Sequence, residues 1–217
     1  MSGKRTSTPA DSFSTEHPFP DRDGVSKLFK FMRFDDAHPE RIEDILLKAK
    51  LYHCLPGSLN DPFEARPRVR LPEGGDQVRD ARQRMIKIAR QNGLDRRSAE
   101  KEATRILSDR SRLQSVLQES MDDVYGTVRI ASFSATVDNI LMWAHYGAAY
   151  SGFCIEFDVG APPFMYAYKV VYQKQYPSLL YPLPMNQDSL RPLLIKSPHW
   201  SYEEEYRLLL NPEVPTP

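Results

Sequence analysis

The chain has 217 residues, 41% hydrophobic and 27% charged, which fits one globular domain with room for an inserted subdomain. Its 29 Lys/Arg and 29 Asp/Glu cancel, so no global field selects a polyanionic partner, and no run of 18 apolar residues is present to span a membrane. Cys54 and Cys154 form neither a CxxC pair nor a disulfide framework, which suits a reducing, cytoplasmic setting.

Residues 1–24 are rich in Ser, Thr, Pro and Asp and show no period. They are expected as a disordered tail, or as a wrap over the surface, ahead of a single α+β domain at 25–217. They hold no apolar stretch of the secretion-signal kind, which leaves a specialised secretion system as the route if the protein is delivered elsewhere. "KLFKFMRF", 27–34, alternates weakly and is aromatic, the pattern of a strand. In "HPERIEDILLKAK", 38–50, Pro39 opens an amphipathic helix with Ile42, Ile45, Leu46 and Ala49 on one stripe. "LYHCL", 51–55, reads as a short strand before the loop "PGSLNDPFEARP".

Residues 76–92 and 98–125 carry helical stripes, the first through Val78, Ala81, Met85 and Ile88, with Lys/Arg on the opposite face. "NGLDRR" separates them, and together they predict a helical insertion over about 76–125. Residues 66–112 hold fourteen Lys/Arg against seven Asp/Glu, so this insertion presents a basic face. "TVRIASFSA", 127–135, is a strand, and 138–150 a helix capped by Asp138 or Asn139 and apolar nearly all round, hence buried.

"GFCIEFD" alternates strictly, with Phe153, Ile155 and Phe157 on one face and Cys154, Glu156 and Asp158 on the other. It is expected to be a central strand, paired with 164–172. There Glu156 is either a buried carboxylate in need of a partner or a solvated one. "HWSYEEEYRLLL", 199–210, predicts a short turn running into a strand, with Glu203, Glu205 and Arg207 on one side. No GxGxxG, P-loop, HExxH or Cys/His cluster occurs, so neither a standard nucleotide cradle nor a metal site is expected.

Three stretches carry polar groups in apolar surroundings. Asn60, Asp61 and Glu64 of "NDPFE" either form a turn anchored by Phe63 or line a pocket mouth. His145 and Tyr146 sit on a helix whose default reading is core. Glu203 and Glu205 beside Arg207 either share a proton or form an exposed, ion-paired edge. Trp200, just upstream, either caps the core or stacks a ligand ring.

Lys30-Phe31, Asn60 to Glu64, Ser132-Phe133-Ser134, Leu141 to Tyr146, Gly152 to Phe157, and Lys196, Trp200, Glu203, Glu205 and Arg207 together resemble the pattern of an uncharacterised bacterial family. A remoter resemblance is to ADP-ribosyltransferases, whose sites run from an Arg or His on an early strand, through a Ser-x-Ser strand, to a late E-x-E. That resemblance implies split, mostly antiparallel sheets and NAD as a consumed substrate. It further implies a role as toxin, effector or defence protein, and a protein or nucleic-acid acceptor. Glu205, Glu203 and His145 are then the catalytic candidates. Lys30 or His53 would take the first position, and Asn60, Ser132, Ser134, Tyr146, Trp200 and Arg207 would hold the substrate. Two other classes remain: a nucleic-acid-binding module using the basic helices of 66–112, and a non-catalytic interaction protein.

Overall fold

The computed structural model describes residues 9–34, 38–62, 64–181, 183 and 186–210. Residues 1–8 of the expected tail and Phe63 of the "NDPFE" loop lie outside the described residues.

The elements in chain order are α1 (Pro9–Glu16), β1 (Lys27–Met32), α2 (Glu40–Leu47), β2 (Arg68–Arg70), α3 (Gly75–Gln91), α4 (Arg96–Ser108), α5 (Arg110–Thr127) and β3 (Arg129–Ser134). They continue as α6 (Ile140–Tyr146), β4 (Phe153–Asp158), β5 (Tyr168–Lys169), β6 (Val171–Tyr172), β7 (Ser178–Leu180), β8 (Ile195–Lys196) and β9 (Glu205–Leu210). Five strands form one sheet in the order β4-β1-β3-β9-β5, antiparallel throughout. Two small parallel ladders, β2 with β7 and β6 with β8, stand beside it. The class is therefore α+β with a mostly antiparallel main sheet.

Pleating divides the sheet's two faces. Leu28, Ala131, Phe133, Tyr206 and Leu208 make one apolar layer. Ile130 packs on the other side with Ala65, Tyr125, Leu179 and Leu193. The helices α3, α4 and α5 lie between β2 and β3 in the chain. They close a small core of their own around Met85, Ala103 and Leu113. The stretch 98–125 is two helices rather than one. Asp109 interrupts it and accepts a hydrogen bond from the Arg112 amide at 3.0 Å, so it serves as the N-cap of α5.

Several expectations are corrected. Residues 9–24 are not a disordered tail: α1 and a following turn pack onto the domain, burying Phe13 and His17. Phe13 lies edge-on to Tyr168, so one aromatic anchor offsets the ordering cost of a polar segment. "LYHCL" is no strand. Cys54 alone bridges Ile130, with backbone bonds of 2.8 and 2.9 Å. The helix at 138–150 stops at Tyr146, because Ala148, Ala149 and Tyr150 take left-handed backbone angles. That helix is also not enclosed, since Ile140 is 68% exposed and only Met142 is buried.

β4 is an edge strand, not a central one. Its Glu156 meets Lys27 at 2.9 Å in solvent, which settles it as an exposed carboxylate. Segment 164–172 does not pair with β4. Its β5 part joins β9 and its β6 part joins β8.

Candidate active site

The site begins with a gap in the sheet. β1 pairs with β4 over six residue pairs, and β3 pairs with β9 over six. β1 and β3 share only Phe29 opposite Ser134. Beyond that point β1 peels away, and Cys54 takes its place against Ile130 at the far end of β3. In the notch between them the Lys30 amine donates to the Ser132 carbonyl at 3.2 Å.

On its other side β1 is packed closely against the turn into β4. Gly152 approaches β1 so closely that a Cβ there would lie 2.2 Å from the Met32 carbonyl oxygen. Only glycine allows the α6–β4 turn to reach its edge position.

A cavity of about 210 Å³ opens at the notch. Of the sequence candidates, Lys30, Asn60, Ser132, Ser134, Tyr146, Glu203 and Glu205 line it. Residues from the first strand, the "NDPFE" loop, the serine strand and the C-terminal acidic stretch therefore meet across one hollow. Register explains the serine–glutamate meeting: Ser134 stands opposite Glu205 and Ser132 opposite Arg207 on adjacent strands.

Four candidates stand elsewhere. His145 is exposed beside Tyr202, 6.0 Å between ring centres, and is not part of the cavity wall. Helix periodicity sets Tyr146 and Met142 inward and turns the residue before Tyr146 outward. The His53 Nδ1 donates to the Leu51 carbonyl at 2.9 Å, and its neighbours Tyr52 and Cys54 face the cavity instead. Trp200 covers the Lys196 ammonium at 5.2 Å, outside the wall. Arg207 is fully buried behind Glu205.

The wall's polar side is a buried charge cluster of Glu64, Glu203, Glu205, Lys196 and Arg207. Arg207 donates to both oxygens of Glu205, Nε at 2.7 Å and Nη2 at 2.8 Å, and also to Glu64. Its Nη1 donates to the Leu193 carbonyl at 2.6 Å. Lys196 bonds Glu203, reaches Glu205 at 3.1 Å and lies 3.5 Å from Glu64. Tyr146 donates to Glu203 at 2.5 Å and accepts from Asn60. Asp61 of the same loop holds the Ser197 amide at 3.0 Å, fixing the approach to the acidic turn.

The carboxylates differ in protonation. Burial pushes Glu205 up, but the Arg207 and Lys196 charges, with hydrogen bonds from Arg207 and Ser132, outweigh it and hold its pKa near about 2. Burial pushes Glu203 up, and the Glu205 charge adds to that. Glu64 is pushed up by burial as well, and its Oε2 has no hydrogen-bond partner among the described residues. Three carboxylates facing two cations carry one surplus negative charge when all are ionised, and burial raises the proton affinity of both Glu203 and Glu64.

The sequence reading gave Lys196 no role, although it is the hub of the cluster. A lysine seven residues before an E-x-E was the available signal, and its burial was invisible. Cys54 and Tyr52 enter the wall only through the loop's path.

No helix among the described residues is long and apolar enough to cross a membrane, and the described residues hold no group of three or more His, Cys, Asp or Glu able to bind a metal ion. No curated protein and no solved structure matches the chain. Residues 142–208, which run from α6 to β9 and contain Tyr146, Lys196, Glu203, Glu205 and Arg207, match the family model described as "Protein of unknown function (DUF2971)", and in that stretch the chain is similar to an uncharacterised family.

Proposed function

We propose that the cavity cleaves the N-glycosidic bond of a ribosyl substrate such as NAD, either as a glycohydrolase or as an ADP-ribosyltransferase acting on a protein or nucleic-acid acceptor. The observation that carries this reading is the pair of carboxylates on one wall whose surroundings push their pKa values apart. Glu203 has the raised proton affinity of a general base and takes the proton of the incoming hydroxyl. Glu205, locked by Arg207 and Lys196, stays ionised and holds Ser132 and Lys196 in position. These roles narrow the sequence expectation, in which Glu205 and Glu203 were both catalytic candidates.

The charge balance favours a cationic reacting centre. A nicotinamide ring or an oxocarbenium-like sugar supplies the positive charge that the surplus carboxylate lacks. At about 210 Å³ the cavity is smaller than the roughly 300–1,000 Å³ of pockets that enclose whole ligands. It therefore takes the ribosyl end, and the remainder lies outside near the exposed Tyr52 ring.

Nicotinamide release from NAD, measured with and without cell extract as acceptor, tests this. Glu203→Gln is expected to lower the rate by about 10²–10⁴-fold, the usual worth of a positioned acid–base group. No release by the wild type under either condition, or an unchanged rate in Glu203→Gln, ends the proposal.

A second reading rests on the helical insertion. Arg82, Arg90, Arg97, Lys101 and Arg112 have no ion pair among the described residues, whereas Arg79, Arg96 and Arg105 are paired within their own helices. That leaves unneutralised cations to track phosphates. Nucleic-acid binding that does not weaken as salt rises would rule it out.

A further inference from the structure

Lys30 differs from its neighbours in what surrounds its amine. Lys27 on the same strand pairs with Glu156, and Lys196 across the cavity is surrounded by three carboxylates. Lys30 has no ion pair among the described residues. Its amine makes one hydrogen bond, to the Ser132 carbonyl, and lies 5.3 Å from the centre of the Phe133 ring. It faces the cavity from the notch where β1 leaves β3. An ammonium so placed loses part of its water and forms no ion pair, with the Glu205 charge across the cavity only partly offsetting the loss.

We propose that Lys30 captures carbonyl compounds, its Nζ forming an imine with a small hydroxyaldehyde admitted to the cavity. Burial favours the neutral amine, the form that has a lone pair to donate. The lone pair bonds to the carbonyl carbon while the carbonyl π pair moves to oxygen. The two protons of the amine leave with that oxygen as water, and a C=N bond remains. Glu203, which shares the wall and holds a proton more readily than an ordinary carboxyl, relays a proton to the departing oxygen. The Asn60 amide and the Tyr146 hydroxyl at the wall are the groups that meet the aldehyde's hydroxyls, while Phe29 and Phe31 supply the apolar side. The volume limits the ligand to a few carbons, up to an open-chain pentose.

This assignment does not need the ribosyl reading, and one experiment separates them. The protein is treated with glycolaldehyde at pH 7.5 in the presence of cyanoborohydride, which reduces the imine to a stable secondary amine. Peptide mass mapping then gives the labelling rate of each lysine. Lys30 is expected to react at least about ten times faster than the exposed Lys87 and Lys174, because a lysine whose burial favours the neutral amine carries more nucleophilic amine at this pH. Lys30→Arg is expected to remove the fast adduct, and Lys27→Arg to leave it. The site mapping is made on the wild type, so a folding defect in Lys30→Arg cannot obscure it. Labelling of Lys30 no faster than Lys87 overturns the proposal. Fast labelling without nicotinamide release refutes the ribosyl reading and leaves this one standing; the reverse result refutes this one.

Discussion

Replacing Arg207 with Met is the most informative perturbation of the charge cluster. The guanidinium is fully buried and makes four contacts: two to Glu205 at 2.7 and 2.8 Å, one to Glu64, and one to the Leu193 carbonyl at 2.6 Å. Methionine fills much of the volume and supplies none of them. Three carboxylates then face the single charge of Lys196. Removing one member of a buried ion pair costs about 3–5 kcal/mol, chiefly from the charge left behind. For a chain of this size each kcal/mol moves Tm by about 2–4 °C, so the loss is about 6–20 °C.

Urea and thermal denaturation of Arg207→Met, Glu205→Gln and the double variant measure it. The double variant is expected to be more stable than Arg207→Met alone, because the stranded charge is gone. The pH dependence has a definite sign. In the wild type Glu205 titrates near about 2, below its ordinary 4.5, so its contribution is present above 4.5 and is lost as pH falls towards 2. Without Arg207, burial dominates and raises Glu205 above 4.5. Its protonated form then fits the fold, and the variant's deficit narrows as pH falls from 7 to 5. A deficit under about 1 kcal/mol, or a second substitution that adds its full single cost, refutes the claim that these charges are held by one another.

Tyr146→Phe removes a hydrogen bond that favours the Glu203 carboxylate, so Glu203 holds its proton to higher pH and the rising limb of the nicotinamide-release profile moves alkaline; an unmoved limb separates Glu203 from the chemistry. Gly152→Ala drives a methyl into the Met32 carbonyl and is expected to cost about 1–3 kcal/mol in urea denaturation, whereas Gly57→Ala, which meets nothing within 4 Å, stays near wild type. Asn139 caps α6 by accepting from the Leu141 amide at 2.9 Å and also donates to the Tyr202 carbonyl at 2.9 Å. Asn139→Ala is expected to cost about 1–2 kcal/mol and to loosen the α6 contact with the acidic turn, read as faster amide exchange at 140–146.

Patterns of period and punctuation were legible where local physics suffices. The stripe of α3, the alternation of β1 and β4, the strand character of β3 and the turn ahead of β9 all follow from where apolar residues recur along the chain. The acidic residues and the serine strand could be named as partners because they share a resemblance, and register brings them together. The failures have one character. β4 reads as central because strict alternation says which face is apolar but not how many neighbours a strand has. His145 and Tyr146 differ by one position, a turn of about 100° on a helix, and only packing decides which of the two points at the cavity.

What the chain alone determined is its mixed α+β class, its run of helices before β3 and its list of ionisable residues in apolar settings, because helix and strand periods and turn chemistry act over a few residues. Tertiary structure decided the rest. Lys196 and Glu64 become part of the site only when segments about 130 residues apart fold together, and Lys30 becomes an unpaired amine only because β1 leaves β3 after one shared pair. Burial and charge pairing depend on distances between remote segments, and no local pattern encodes them.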